Sequence, residues 1–360
     1  MVSLTTRNQE NCPLAGAKRA YADEAQASDP RAVKRCRVVL GDITESFNVI
    51  ATQPDSLEIE PKVVEGGRGG KGKENRFQES GKVNGGKTEG LDFRPCRIYQ
   101  HLRSVEVEED KRALPGYMEK LQKDLKPEMR AILVDWLVEV AEGCRLSADA
   151  VFLAVNYIDR YLMTNVVKRN KLQLLGVSCL LVASKYEENV PPYLEEMCFL
   201  TDNSSTNDEI LNMEKEVVKL LNHEMNAPTI KTFLRILAKV SPNKEQSSTL
   251  LEFIERYLSE LSLLNYQLLR FPPSLIAASV VFLARFTIMP GRHPWTMELQ
   301  QYSGYRPSDL KECALNIHKL QLSKGHPCFA IKEKFMQKKF KEVANITPAD
   351  IPAPYFQNFN

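Results

Sequence analysis

The chain has 360 residues, of which 43% are hydrophobic, and its formal net charge is only +2. The length predicts about two domains plus tails, and the hydrophobic content is sufficient for packed cores. The small charge gives no strong field for a nucleic acid or a membrane surface, no apolar run is long enough to span a bilayer, and the first residues lack the apolar segment of a secretory signal.

The cysteines indicate a reducing compartment rather than a disulfide framework or a metal site. Eight are spread along the chain without a C-x-x-C pair, and none has zinc-binding spacing with a histidine. Several lie in apolar stretches, where a free thiol behaves as a small hydrophobic group. We therefore expect a cytosolic or nuclear protein with no metal and no cofactor.

Residues 1–92 have little apolar periodicity, and the stretch 66–90 is rich in Gly, Lys and Glu. Such a composition cannot bury enough apolar surface to offset the entropy of ordering, so the segment is predicted to be a disordered regulatory tail. Basic residues at 18–19 and 34–37 resemble a bipartite nuclear localisation signal, which predicts a nuclear protein. Scattered basic residues in a solvated tail remain an equally good interpretation.

From about residue 93, apolar residues recur at helical spacing. A short amphipathic helix over Cys96–Val107 comes first, and a connector with Pro115-Gly116 follows it. The helices predicted next are Met129–Cys144 with Pro127 in its first turn, Asp149–Met163, Lys171–Glu188, Leu194–Leu200 and Asn207–Leu221. Lys171–Glu188 is apolar and dotted with small residues, so we expect it to be the central buried helix of its domain.

The second half repeats this order of helices around an apolar middle helix that is also rich in small residues. Its predicted helices are Thr229–Val240, Thr249–Leu263, Ser274–Thr287, Leu299–Tyr302 and Pro307–Leu322. The fold class is therefore all-α, with two tandem five-helix domains after an N-terminal helix and a disordered tail. The predicted parts are the tail (1–92), the N-terminal helix with the first domain (93–226), and the second domain with a C-terminal extension (227–360).

The helix over Met129–Cys144 is apolar around nearly its whole circumference. Such a helix is buried on more than one side. In a soluble chain this predicts either a core helix or a core helix whose outer stripe is left for a partner.

No catalytic motif is present. The sequence lacks a phosphate-binding G-x-x-x-x-G-K-[ST] loop, a dinucleotide-binding G-x-G-x-x-G between strand and helix, H-E-x-x-H and G-x-S-x-G. The five histidines are scattered. A non-catalytic interaction protein is therefore the better hypothesis.

Four stretches resemble the cyclin box: MRAILVDWLVEV, NYIDRYL, KLQLLGVSCLLVASKYEE and ILNMEKEVVKLL. The resemblance is to the A-type mitotic cyclins, especially those of plants, and it extends from about residue 93 to the C-terminus. It implies a regulatory subunit that binds and activates a cyclin-dependent Ser/Thr kinase. Positions typical of the cyclin box are matched by Arg130, Asp159, Leu174, Lys185 and Glu214.

The resemblance also implies roles for particular residues. Arg130 and Asp159 would form an internal ion pair between the first two helices of the box. Lys185 and Glu214 would hydrogen-bond main-chain groups around the αC helix of the kinase. The apolar part of that interface would come from Ile98, Val182, Tyr186 and Val218. His101 stands where animal A-type cyclins have tyrosine, which leaves its contact open.

The outer stripe of Met129–Cys144 matches the family's docking groove for substrates or inhibitors that carry an Arg-x-Leu motif. The groove residues implied are Met129, Ile132, Leu133, Trp136, Glu139 and Gln173. The apolar members would take the leucine and the acidic rim would take the arginine. The alternative is that Trp136 simply lies in the core, and part of this set is expected there because one helix must serve both sides.

Two motifs in the tail resemble degradation signals. Arg37, Leu40 and Ile43 match the spacing R-x-x-L-x-x-I of the cyclin destruction box, although Glu45 replaces the frequent asparagine. Lys73-Glu74-Asn75 matches the KEN motif. Both imply recognition by the anaphase-promoting complex and ubiquitin-dependent degradation, for which a flexible tail is suited.

Two other protein classes remain to be weighed. A transcription-factor-IIB-like protein also stacks two such domains, but it needs an upstream zinc ribbon and a basic surface toward DNA. The cysteines of residues 1–92 are Cys12 and Cys36 alone, too few for a zinc ribbon, and the net charge is small. The other class is a helical scaffold without a kinase partner, which a pull-down would distinguish.

Overall fold

The computed structural model describes residues 94–240, 249–323 and 328–359. Within these ranges every regular element is helical, and no strand occurs. The α-helices are α1 (Arg97–Val105), α2 (Tyr117–Lys120), α3 (Pro127–Gly143), α4 (Ala148–Thr164), α5 (Leu172–Glu187), α6 (Leu194–Leu200), α7 (Asn207–Leu220), α8 (Ile230–Leu237), α9 (Thr249–Ser262), α10 (Pro273–Ile288), α11 (Met297–Ser303), α12 (Pro307–Leu322) and α13 (Ala330–Phe335). Short 3₁₀ turns cover Arg169–Lys171, Tyr266–Arg270, Lys338–Phe340, Val343–Asn345 and Ala353–Phe356.

The helices begin at residues suited to that position. Ser147 precedes α4, and its hydroxyl accepts a hydrogen bond from the backbone N–H of Ala150 at 3.3 Å. Thr206 and Glu209 form a reciprocal capping box at the start of α7. Pro127 occupies the first turn of α3, where its missing N–H leaves no hydrogen bond unmade. These local signals explain why the observed helix starts lie close to the predicted ones.

Two five-helix units follow α1 and α2, namely α3–α7 and α8–α12. The middle helix of each unit is buried along most of its length, over residues 172–184 in α5 and 274–286 in α10. Small residues allow this close packing. A Cβ atom built on Gly176 of α5 would lie only 2.6 Å from Cδ1 of Leu133 on α3. The predicted all-α fold with two tandem units is confirmed.

Helix α3 lies between two hydrophobic cores, which explains its apolar circumference. Leu133, Trp136, Leu137 and Val140 belong to the core of the first unit. On the opposite side Ala131, Ile132, Val134, Val138 and Ala141 belong to a core shared with the second unit and the C-terminal segment. Helix α4 is divided in the same way, because Phe152 and Val155 join the shared core while Ile158 and Leu162 join the first. The two units are therefore packed through α3 and α4.

The C-terminal segment is held against both units by buried charged groups. The carboxylate of Asp135 on α3 accepts hydrogen bonds from the backbone N–H groups of Ala330 and Ile331 at 2.9 and 3.0 Å. Lys334 of α13 donates to both carboxylate oxygens of Glu260 at 3.0 and 2.9 Å. Burial raises the pKa of both carboxyl groups, and their hydrogen-bond donors partly offset that effect. The segment is therefore an integral part of the fold.

Helix α1 packs on the second unit. Tyr99 contacts Phe233 edge to face, with ring centroids 5.8 Å apart, and its hydroxyl donates to the carbonyl oxygen of Ser303 at 3.3 Å. The buried carboxylate of Glu106 accepts hydrogen bonds from the backbone N–H and the hydroxyl of Ser274 at 2.9 and 2.7 Å. These contacts fix the position of α1 along the second unit.

Two helices were missed from the sequence. The predicted connector around Pro115-Gly116 contains α2, and the C-terminal extension contains α13. Both are short, with four and six residues, so neither has enough turns for a periodic apolar pattern. The tail (1–92) and its motifs, Arg37, Leu40, Ile43 and Lys73-Glu74-Asn75, lie outside the described residues.

Candidate functional site

The most distinctive polar feature of the first unit is a surface ion pair between α5 and α7. Lys185, in the last turn of α5, donates from Nζ to Oε1 of Glu214 at 2.6 Å. The lysine side chain is 44% exposed and that of the glutamate only 15%. The second carboxylate oxygen of Glu214 is buried and has no hydrogen-bond partner within the described residues. The lysine of the pair therefore retains N–H donors for an external ligand, whereas Oε2 of Glu214 is enclosed by the protein.

Packing and hydrogen bonds hold the two helices in register. Lys171, before the first turn of α5, pairs with Glu209 of α7 at 2.6 Å. In the buried middle, the hydroxyl of Ser178 donates to the carbonyl oxygen of Ile210 at 3.4 Å. The end of α5 is also tied to α4, because the carboxylate of Glu188 accepts a hydrogen bond from the backbone N–H of Ser147, the residue before α4, at 2.7 Å. Lys185 and Glu214 therefore stand on a rigid base.

The other four residues predicted to bind a kinase fall into two groups. Ile98 and Tyr186 are exposed, and Val218 is partly buried. Val182 is 4% exposed and packs in the core of the first unit. In the free chain Val182 therefore does not face the surface, because residue 182 lies on the inner side of α5, and its part in a kinase interface stays a prediction. Val182 instead packs in the core beneath the Lys185–Glu214 pair.

The expected pair between Arg130 and Asp159 is formed and is almost completely buried. The guanidinium donates from Nε and Nη2 to the two carboxylate oxygens, each at 2.6 Å. Nη1 donates to the carbonyl oxygen of Leu263 in the second unit at 2.7 Å, and the hydroxyl of Tyr117 donates to the same carboxylate at 2.8 Å. Burial lowers the pKa of Arg130, but Asp159 raises it by more. This cluster connects α2, α3, α4 and the second unit.

The predicted docking groove needs a correction. Leu133 is 0% exposed and Trp136 is 4% exposed, and Ile132 and Gln173 are also buried. Leu133 fills the space left by the missing side chain of Gly176. In the free chain Ile132, Leu133 and Trp136 do not face outward, since both faces of α3 are occupied by cores; their part in docking stays a prediction. Met129 and Glu139 remain partly exposed.

Two residues important for the arrangement of α3 were missed from the sequence. Asp135 holds the C-terminal segment, and Tyr117 completes the Asp159 cluster. Asp135 carries a signal that could have been used, because an acidic residue in the middle of a buried apolar helix requires a polar partner. Tyr117 carries no such signal, since it lies in a segment without periodicity.

The described residues contain no cluster of three or more His, Cys, Asp or Glu side chains that could hold a metal ion. No helix among them is both long and apolar enough to cross a membrane.

Comparisons with known proteins agree with this architecture. Residues 97–226 match the model of the family "Cyclin, N-terminal domain", and residues 228–349 match "Cyclin, C-terminal domain". The chain is 51% identical over 264 residues to Cyclin-A3-2 of Oryza sativa subsp. japonica, an alignment that covers 72% of this chain and 69% of that protein. It is 41% identical over 336 residues to the G2/mitotic-specific cyclin C13-1 of Daucus carota, with coverages of 91% and 98%.

Two further comparisons span most of their partner's length. The chain is 40% identical over 364 residues to the putative cyclin-A3-1 of Arabidopsis thaliana, covering 98% of this chain and 99% of that protein. Among solved structures, a viral cyclin from herpesvirus saimiri aligns with a TM-score of 0.55 at 22% identity, covering 62% of this chain and 96% of the viral one. This structural similarity concerns the fold.

Proposed function

This chain belongs to the cyclin family, with plant A-type cyclins among its relatives, and we propose that it is the non-catalytic subunit that binds and activates a cyclin-dependent Ser/Thr kinase. The observation that carries the proposal is the Lys185–Glu214 pair, which is fixed on two packed helices and presents a lysine side chain that is 44% exposed. The lysine ammonium has N–H donors beyond the one given to Glu214, and these can bind a partner.

The mechanism we propose is selection of the active kinase conformation. A protein kinase is active when its β3 lysine pairs with the glutamate of its αC helix and its activation loop is ordered. A surface that binds only this conformation shifts the population toward it by its differential affinity for the two states. The packing of α5 and α7 supplies the rigidity that such selection requires.

The groups at the site match main-chain recognition. Nζ of Lys185 can donate to a kinase carbonyl oxygen in addition to Glu214, and Oε1 of Glu214, which accepts from Lys185, has a second lone pair for a kinase N–H. The exposed side chains of Tyr186 and Ile98, with the partly buried Val218, would supply apolar contacts. Backbone groups offer these contacts regardless of sequence, so specificity for one kinase must come from the surrounding surface.

We also propose that α3 contributes to docking of substrates or inhibitors that carry an Arg-x-Leu motif. The partly exposed Met129 and Glu139 would meet the ligand, and Trp136 would form the floor of the groove. Changing Met129 and Trp136 to Ala should weaken phosphorylation of a substrate with the motif and spare a short peptide without it. Equal loss on both substrates would indicate misfolding instead, and unchanged phosphorylation of the substrate with the motif would contradict the docking proposal.

For the tail we propose nuclear import and ubiquitin-dependent degradation through the anaphase-promoting complex at mitotic exit. The support is the pattern of residues 37–43 and 73–75 in a segment of low apolar content. A chain that lacks residues 1–92 should persist through mitotic exit. If it disappears as fast as the whole chain, the degradation proposal is wrong.

The proposed function as a whole is tested by a pull-down of the full chain from an extract of dividing cells, read by mass spectrometry. We expect a cyclin-dependent kinase among the captured proteins and kinase activity in the eluate. Capture of basal transcription proteins without a kinase would favour the transcription-factor-IIB-like alternative and contradict the proposal.

A further inference from the structure

A cavity lies between the two five-helix units, beside the buried Arg130–Asp159 pair. It has a volume of about 80 Å³, and both units contribute to its walls. Its apolar lining comprises Phe152, Val155, Ile230, Leu268, Phe271 and Ile276. Since a water molecule in the liquid occupies about 30 Å³, the cavity has space for a small branched alkyl group.

One polar wall of the cavity is an arginine without an acidic partner. Arg112, in the segment between α1 and α2, is half-buried and donates from Nη2 to the carbonyl oxygen of Leu269 at 2.8 Å. No carboxylate among the described residues lies within ion-pair distance of its guanidinium. Burial lowers the pKa of Arg112, and the charge of Glu106 offsets this effect only in part. The remaining N–H donors of such a group are suited to an anion.

The neighbouring polar group is an acceptor without a donor. Nδ2 of Asn156 donates to the carbonyl oxygen of Lys111 at 3.1 Å, which fixes the orientation of the amide because a carbonyl oxygen can only accept. Oδ1 of Asn156 is then buried without a hydrogen-bond partner within the described residues. Because Lys111 directly precedes Arg112, the acceptor and the guanidinium belong to the same part of the cavity. A buried acceptor in this state calls for an O–H or N–H donor.

We propose that this cavity binds a short branched-chain 2-hydroxy acid. The carboxylate would accept hydrogen bonds from Arg112, the hydroxyl would donate to Oδ1 of Asn156, and the alkyl group would lie against Val155 and Ile276. A mainly apolar site with a few polar groups that fix orientation is typical for small molecules. A 2-amino acid fits less well, because its ammonium group would bring a second positive charge beside Arg112.

The probe is 2-hydroxy-3-methylbutanoate, added to the full chain. Binding is measured from saturation transfer to its methyl signals by NMR and from the rise in Tm with its concentration. The analogue 3-methylbutanoate lacks the hydroxyl and should bind about three- to tenfold more weakly. The analogue 3-methylbutane-1,2-diol lacks the carboxylate and should bind more weakly by about tenfold or more, because a hydrogen bond to a charged group is stronger.

Substitutions test the two walls of the cavity separately. Arg112→Met should raise Kd about tenfold or more, and Arg112→Lys, which keeps the charge, should raise it less. The matched control is Arg292→Met, since Arg292 is exposed and does not line the cavity; it should bind like the unchanged chain. Ile276→Phe places a larger side chain in the cavity and should abolish binding while the helical signal in circular dichroism is retained.

The outcomes decide the proposal without a kinase, so its failure leaves the proposed function intact. If the unchanged chain shows no saturable binding of the probe, the cavity holds water alone and the proposal is overturned. Equal affinity for the acid and the diol, or equal weakening by Arg112→Met and Arg292→Met, also overturns it. If Arg112→Met does not fold, the series of analogues on the unchanged chain decides between these results.

Discussion

The buried pair between Arg130 and Asp159 allows a sharp prediction about stability. Asp159→Ala leaves the guanidinium of Arg130 buried, with the carbonyl oxygen of Leu263 as its remaining acceptor among the hydrogen bonds described above. Removing one partner of a buried ion pair destabilises a protein by about 3–5 kcal/mol. A typical domain has a free energy of unfolding of roughly 5–15 kcal/mol, so the variant should be only marginally stable.

The assay is urea unfolding followed by far-ultraviolet circular dichroism. Tyr117→Phe, which removes one hydrogen bond to the same carboxylate, should lower the free energy of unfolding by about 1 kcal/mol. The double variant Arg130→Met, Asp159→Leu should recover much of the loss, because it leaves no unpaired buried charge. A loss below about 1 kcal/mol for Asp159→Ala, the range of exposed pairs, would refute this reasoning.

Three further predictions concern packing, pH and the C-terminal segment. Gly176→Ala should lower the free energy of unfolding by about 1–3 kcal/mol in thermal melts, because its Cβ would meet Leu133 at 2.6 Å. The combined loss with Leu133→Ala should be smaller than the sum of the two single losses; an additive loss would contradict this. Burial raises the pKa of Glu255 from 4.5 to about 7, so its neutral form stabilises the fold below about pH 4.5 and this contribution disappears as pH rises through about 7. Glu255→Gln should therefore gain stability relative to the unchanged chain as pH rises, up to about 3 kcal/mol, and a difference independent of pH would exclude this cause. Asp135→Ala should increase hydrogen exchange in residues 330–335 and lower the free energy of unfolding by about 1.5–3 kcal/mol. Unchanged exchange would show that α13 is held by other contacts.

Most helices of this chain could be predicted from its sequence. Leu194–Leu200 and Pro307–Leu322 have the bounds that the pattern indicates, and the other long helices differ by a few residues at their ends. Long apolar periodicity, proline at helix starts and small residues in the middle helices are local signals, so they can be read without knowing the fold.

The surroundings of α3 could not be predicted in the same way. Its sequence shows that nearly every side is apolar, but which side meets the first core, the second core or solvent depends on how the two units pack. Ile132, Leu133 and Trp136 are buried because α5, the second unit and α13 cover them. This environment is created by residues that are distant along the chain. The periodicity of one helix cannot predict which distant residues will cover it.

Lys185 and Glu214 were identified through the resemblance to the cyclin box and not from helical periodicity, because each alone resembles an ordinary charged residue on a helix. The structure brings the two side chains to 2.6 Å. Val182, three residues before Lys185, is buried in the free chain, so its contribution to a kinase interface stays a prediction.

The central claim is that Lys185 and Glu214 carry kinase binding and activation. It is tested most directly by measuring the phosphorylation of a short peptide by the recombinant kinase with Lys185→Ala, Glu214→Ala. Arg270→Ala, Glu312→Ala is the matched control, since it removes an exposed ion pair of similar length, 2.7 Å, in the second unit. We predict that the first variant no longer activates the kinase while its helical signal is intact, and that the control activates normally. Full activation by the first variant, or equal loss in both, would contradict the claim.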